Sequence, residues 1–220
     1  MDNKIKNEVR NDMAELFDIE LPAEATYQLA DIGLVNFYKD YKNRVLWIDK
    51  DVSDNLFEEI RMVVLWNRED DANNISIEDR KEITLMVHSY GGQLDAAFAM
   101  IDVMNLSKTP IKTVNVNAAM SAGALIFLNG HKGKRYCMPM STALIHEGSG
   151  GSRGTYEQVQ AQNENYKKMM DMMKDNIKKH TTISSQTLGR WKNKEIYLYA
   201  EDQIKYNLAD HIISNISDIL

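Results

Sequence analysis

The stretch Ile111-Lys112-Thr113-Val114-Asn115-Val116, continuing as Asn117-Ala118-Ala119-Met120-Ser121-Ala122-Gly123-Ala124, decides the architecture. Its first part predicts a strand over 111–116, and its small, apolar continuation predicts a helix over 123–128 that Ser121 begins. The same alternation extends outward in both directions. A strand is expected over 44–48, then a helix from Ser53, a good N-cap residue, to Trp66. Residues 82–87 read as a strand that turns through Ser89-Tyr90-Gly91-Gly92 into a helix over 94–106. Downstream, Ala143-Leu144-Ile145 reads as a strand ending at His146. Strands alternating with helices predict an α/β domain with crossover units. Ser121 and Gly92 both fall where a strand gives way to a helix, which is where open α/β sheets build their sites.

The flanks are less regular. Residues 2–20 carry Val9, Met13, Leu16 and Phe17 at helical spacing and predict an amphipathic arm. A polar stretch is expected from there to Lys42. Residues 67–80 read as an exposed polar loop tolerant of change. Residues 147–154 are glycine-rich and, on composition alone, read as a flexible loop. A long helix is expected over 155–180, with Tyr156, Val159, Tyr166, Met169, Met170, Met173 and Ile177 on its apolar side. It exceeds the usual length of about 12 residues, so it is expected to project from the body or to pack on a partner.

Composition narrows the function. A 220-residue chain with 44% hydrophobic residues can build one ordinary domain with a real core. Its net charge of −6 argues against nucleic acid as a partner. No apolar run approaches the roughly 20 residues that span a bilayer, and the first residues lack the apolar core of a secretory signal. Cys137 is the single cysteine, so a cytoplasmic location is expected.

Ser121, His146 and the Gly91-Gly92 turn supply a nucleophile, a base and a backbone oxyanion donor, the minimum parts of a serine hydrolase. Each alone has a plain structural reading: a small packing residue, a structural or surface histidine, a tight turn. His88, His131, His180 and His211 show no metal-ligand spacing, and His146-Glu147 lacks the second histidine of a zinc helix, so no metal site is expected.

Together the pieces become specific. Ser121-Ala122-Gly123-Ala124, then Gly130-His131-Lys132-Gly133-Lys134-Arg135-Tyr136-Cys137-Met138-Pro139, then Ile145-His146, strongly resemble the Clp protease proteolytic subunit family. The resemblance extends over most of the chain from about Phe37. It implies a crotonase-like α/β domain with a protruding handle helix. An N-terminal arm or axial region would occupy residues 1–36, the peptidase domain 37–220, and the handle roughly 147–180. By position it implies Ser121 as nucleophile, His146 as general base, and Gly92 and Ala122 as oxyanion donors. The family's third triad member is an aspartate; an ungapped match through Tyr197-Leu198-Tyr199-Ala200-Glu201 puts Glu195 there, although Glu195 read alone is a surface acid. A longer carboxylate can still hold a histidine tautomer.

The glycine-rich segment gains an implied role as an extended strand lining the substrate cleft, with Gly91, Glu147, Gly148, Ser149 and Gly150 against the peptide. The resemblance further implies a homo-oligomer of seven-membered rings stacked in pairs, an AAA+ unfoldase partner, unfolded polypeptide substrates and no cofactor.

Several positions depart from the family pattern. Its Ser-Pro-Gly-Gly is here Ser89-Tyr90-Gly91-Gly92, so a ring that fixes φ near the oxyanion loop is lost. Glu147-Gly148 replaces Gln-Pro after the histidine, and a carboxylate beside His146 predicts an acidic limb of activity displaced to higher pH. Asn193-Lys194 replaces the acid and arginine that help bridge rings. Thr84 and Met86 stand where aromatic residues usually line the ATPase docking pocket. These departures keep a rival open, an inactive or weakly active ring subunit that requires a catalytic paralogue. A crotonase-type acyl-CoA enzyme is a further rival; it would need neither Ser121 nor His146. A Ser-Lys peptidase is disfavoured by His146 in register and by the absence of an apolar anchor.

Overall fold

The computed structural model describes residues 32–219. The expected arm over 2–20 lies outside the described residues. The chain divides at Val45/Leu46 into two compact units. The first contributes α1 (Ile32–Asn43), which ends in a left-handed turn at Arg44. A polar stretch was expected here, but the helix carries Ile32, Leu34, Val35, Phe37, Tyr38 and Tyr41 and becomes polar only toward Asn43.

The second unit is the expected α/β domain. A seven-stranded sheet runs β1 (Val45–Ile48), β2 (Ile83–Ser89), β3 (Ile111–Met120), β4 (Arg135–Cys137) and β7 (His211–Ile212) as spatial neighbours. β5 (Thr142–Ile145) pairs with β3, and β6 (Ile196–Tyr199) pairs with β5. All these pairings from β2 to β7 are parallel except β5 with β6. Parallel neighbours require crossovers. The first crossovers carry α2 (Phe57–Ala72) between β1 and β2, α3 (Leu94–Leu106) between β2 and β3, and α4 (Ala122–Leu128) between β3 and β4. α2 packs on α3, α3 on α4, and α4 on the long α5 (Tyr156–His180). Short helices α6 (Ser185–Trp191) and α7 (Ala200–Lys205) flank β6. Every residue of β2 except His88 is buried, as expected of a parallel strand covered on both faces; Thr84 and Met86 are therefore core residues here.

β3 is longer than expected because it serves two neighbours. Thr113 to Asn115 pair with β4, whereas Ala118 to Met120 pair with β5. At the fork the ladder is interrupted, and buried side chains replace it. The Asn115 amide donates to Thr142 O at 3.2 Å and to Gln203 Oε1 at 3.1 Å, while the Gln203 amide donates to Leu198 O at 3.1 Å. Asn117 to Met120, beyond the expected end at 116, are thus part of the strand.

The expected loop over 67–80 is partly helix and partly structural. α2 continues to Ala72, and Asp70 is only 1% exposed. Thr109 Oγ1 donates to Asp70 Oδ2 at 2.7 Å, and the Lys108 and Thr109 N–H groups donate to Asn67 Oδ1. Asp71 pairs with Arg80. Most of the segment is exposed as expected, but Asn67 and the buried Asp70 bind the turn before β3, and a helix reaches Ala72 where a loop was expected.

α5 begins at a capping box. Gln158 N–H donates to Thr155 Oγ1 at 3.4 Å, and Thr155 N–H donates to Gln158 Oε1 at 2.9 Å. Nothing in the helix before Met173 is buried; Met173 and Ile177 anchor its far end. Burying two such side chains contributes about 1.5–3 kcal/mol each. Residues 147–153 take no regular secondary structure, so the extended strand implied there is not formed. Among the described residues they pair with no strand. Instead Tyr166 holds the segment, its hydroxyl donating to Glu147 O at 3.3 Å and its ring packed beside Gly150.

A second buried network lies at the β4 end. Arg135 is 2% exposed and meets Asp210 through Nε at 2.9 Å and Nη2 at 2.5 Å. Arg135 Nη1 also donates to the carbonyls of His180 and Asn207. Glu82 is held between Lys112 at 2.5 Å and Lys134 at 2.7 Å. The motif Gly133-Lys134-Arg135 thus ties β2, β3, β4 and the C-terminal segment together.

Candidate active site

Strand register alone brings three distant residues together. β5 pairs antiparallel with β6, with Ile145 opposite Ile196. One step beyond that pair, His146 leaves β5 and Glu195 enters β6, so the next position across the ladder faces imidazole with carboxylate. On its other edge β5 pairs parallel with β3, Met120 opposite Leu144, and Ser121 N–H donates to Leu144 O at 2.9 Å. Ser121 therefore emerges at the end of β3 next to the end of β5. His146 Nε2 lies 2.8 Å from Ser121 Oγ, and His146 Nδ1 lies 2.8 Å from Glu195 Oε1. A hydroxyl against an imidazole whose other nitrogen faces a carboxylate is the arrangement an activated nucleophile requires.

Ser121 itself occupies an unusual backbone conformation, φ +52° and ψ −120°, at the N-cap of α4. For a non-glycine residue this costs about 1–3 kcal/mol and persists only where the surroundings impose it. Gly91 is part of those surroundings. Its φ is +101°, and a Cβ there would lie 2.7 Å from Ser121 Cβ and 2.9 Å from Met120 O. Gly91 is buried beneath the serine and does not line the groove, which corrects its expected place against substrate.

Gly92, φ +146°, passes so close to the chain that a Cβ would lie 2.2 Å from Val52 O. Val52 clamps the turn from both sides: its N–H donates to Gly91 O at 2.8 Å, and its carbonyl accepts from Gln93 N–H at 2.7 Å. Ser89 Oγ accepts from Gly91 N–H at 3.2 Å and donates to Lys50 O at 2.6 Å. These contacts replace the proline ring that the turn lacks; Tyr90 is left 68% exposed and packs edge-on against His88. Val52 carried no sequence signal, because its role lies in backbone groups that any residue possesses. Among the described residues the Gly92 and Ala122 N–H groups take no partner in the fold. Ala122 is the first residue of α4, where an N–H has no intrahelical acceptor.

The site opens into a groove of about 670 Å³ lined by Gly92, Ser121, Ala122, His146 and residues 147–150. Glu147, Gly148, Ser149 and Gly150, which the resemblance implied against the peptide, are thus wall residues of this groove. The opposite wall is apolar, from Leu125, Ile145 and three α5 methionines: Met169, Met170 and Met173. Helical spacing assigns these methionines to an apolar face but not to a groove, since it does not say what a face meets. Glu147, expected to act on His146, pairs with Lys174 at 3.1 Å, so its charge is shared with an ammonium.

Cys137 offers no rival nucleophile. Burial pushes its thiol up to about 11, so it stays protonated at neutral pH. Among the described residues no cluster of three or more histidine, cysteine or acidic side chains is placed to hold a metal ion, and no helix is long and apolar enough to cross a membrane.

Comparison with known proteins converges on the same region. An ATP-dependent Clp protease proteolytic subunit from Deinococcus radiodurans is 34% identical over 133 residues, 60% of this chain. The match spans about 65% of that relative's length. The model of the Clp protease family matches residues 35–216, which takes in every strand of the sheet and all three residues of the hydrogen-bonded chain, and on that breadth the chain belongs to the Clp protease family.

Proposed function

We propose that the chain is a serine endopeptidase, the proteolytic subunit of an ATP-dependent Clp protease. The observation that carries this reading is the continuous hydrogen-bonded chain from Ser121 Oγ through His146 to Glu195, at 2.8 Å in each step, opening on a groove.

In this mechanism Ser121 Oγ attacks the scissile carbonyl as His146 Nε2 takes its proton. Glu195 accepts from Nδ1–H, fixes the tautomer and stabilises the imidazolium. The Gly92 and Ala122 N–H groups receive the developing oxyanion; one such donor is typically worth about 10²–10³ in rate. The tetrahedral adduct collapses, the amine leaves with the proton from His146, and an acyl-serine remains. Water, deprotonated by the same imidazole, then releases the acid and restores Ser121. No cofactor enters any step.

The methionine-lined wall suits an apolar substrate side chain, and the glycine-rich residues 147–150 suit close approach of an extended backbone. Backbone recognition reads little sequence, which fits unfolded polypeptides as substrates. Membership of the Clp protease family supports an oligomer that works with a Clp ATPase. We extend this to a homo-oligomer of stacked seven-membered rings served by an AAA+ unfoldase in the cytoplasm, with neither nucleic acid nor membrane as partner.

The test is covalent. A fluorophosphonate probe, mapped by mass spectrometry, is expected to label Ser121 in the purified protein and to fail on Ser121→Ala. An assembled ring that takes no label would overturn the reading in favour of an inactive subunit.

A further inference from the structure

A second hollow, about 550 Å³, adjoins the groove and shares His146, Glu147, Gly148, Tyr166 and Met170 with it, but extends past Glu195. Its lining is rich in lysine. The chain carries a net charge of −6, yet four lysines converge here: Lys167 and Lys174 from α5, Lys192 and Lys194 from the turn before β6. Three acids also line it, and two are engaged, Glu147 with Lys174 and Glu195 with His146. Lys167, Lys192 and Lys194 form no ion pair with a described carboxylate, and Asp171 is the one counter-charge left facing them. The main groove has the opposite character, with its methionine wall.

We propose that this hollow is a subsite for an acidic side chain of the peptide, on the leaving-amine side of the scissile bond. The inference rests on the peptidase reading for its orientation. His146 Nε2 must pass its proton to the departing amine, so that half of the substrate crosses the imidazole face and its side chains fall toward Glu195 and the lysines. The acyl half lies over the methionines, on the oxyanion side. A lysine suits such a role because its compact ammonium sits on a flexible stem and can meet a carboxylate at varied depth. Exposed ion pairs are individually weak, so two or three acting together make about a fivefold preference rather than an absolute requirement.

Two fluorogenic peptides settle the point, identical except for Glu or Gln at the first position after the cleaved bond. The kcat/KM ratio is measured for the wild-type protein and for Lys167→Gln/Lys192→Gln, with Lys194 left intact because it adjoins Glu195. In parallel, fluorescence anisotropy measures binding of both peptides to Ser121→Ala. The expected wild-type ratio is about fivefold in favour of Glu at low salt. It should fall toward one in the double variant, and also in about 0.5 M salt, where charge attraction is screened. Equal cleavage of both peptides by the wild type overturns the subsite and leaves the peptidase reading standing. Absence of cleavage with about fivefold tighter binding of the Glu peptide keeps the subsite and overturns the peptidase reading. Absence of cleavage with equal binding overturns both.

Discussion

Arg135 with Asp210 and His146 with Glu195 each join a base to a carboxylate far away in sequence, yet their surroundings differ. The Arg135 and Asp210 side chains are 3% and 12% exposed; those of His146 and Glu195 are 22% and 56% exposed. The first pair is sealed, with its remaining donors spent on the carbonyls of His180 and Asn207. Nothing can reach it, and removing either partner leaves an uncompensated buried charge. The second pair faces a groove, where substrate can approach the imidazole and protons can be exchanged. The chemical types are alike, and burial separates a structural clamp from a site that can turn over.

Substitutions can break this comparison, and the largest effect is expected at the open site. Ser121→Ala should lower peptide hydrolysis by about 10⁴-fold or more while the urea midpoint stays at the wild-type value. A shifted midpoint would mean that the strained turn, rather than the hydroxyl, was lost. Arg135→Met should do the reverse. A cost of about 3–5 kcal/mol is expected in urea denaturation, with undiminished probe labelling of whatever fraction remains folded. Normal stability in that variant would dissolve the distinction between the two pairs.

Glu195→Gln should have an intermediate effect. A buried triad aspartate is worth about 10⁴ in rate, and an acid more than half exposed should be worth less, about 10²–10³ in kcat. Loss of activity equal to that of Ser121→Ala would show that exposure does not weaken this carboxylate.

The smallest effect is one of pH. Burial opposes ionisation of Asp210, but hydrogen bonds and charge from Arg135, with the Gly133 N–H, outweigh it and hold the carboxyl below its ordinary value. The unfolded chain therefore binds more protons in the acid range. The clamp's contribution is present above the ordinary aspartate value of about 3.9 and is lost as pH falls through the lower folded value. Urea midpoints followed from about pH 5 downward should fall more steeply for the wild type than for Asp210→Asn. Parallel slopes would remove the linkage.

Much of the architecture was legible because local pattern decides it. The helix over 94–106 and the long helix over 155–180 follow directly from apolar spacing and end residues. Ser121 and His146 could be found because each closes or follows an apolar strand. Other features were hidden by non-local causes. Asn67 and Asp70 look solvent-facing in the sequence since their partners, at 107–109, are remote along the chain. β3 looks short in the sequence since Asn117-Ala118-Ala119-Met120 lacks β-branched residues, and only its pairing with β5 makes it strand. Glu195 was reachable only through resemblance, because an antiparallel pairing across a fifty-residue excursion leaves no periodic trace. The motif that made the resemblance specific, Gly133-Lys134-Arg135-Tyr136-Cys137, proved to be the clamp and not the chemistry.

The pairing of β5 with β6 has a further consequence, as a form of proofreading. Lys194 and Ile196 flank Glu195, so a strand that settled one position out of step would offer His146 either a cation or a hydrocarbon. Neither can hold the imidazole as a base. A molecule with this strand misfiled would leave the imidazole without its carboxylate, so the three-residue chain is complete only when β6 is in register. If the chain is the peptidase proposed above, a misaligned subunit would be silent rather than merely slower, a safeguard written into the weave itself.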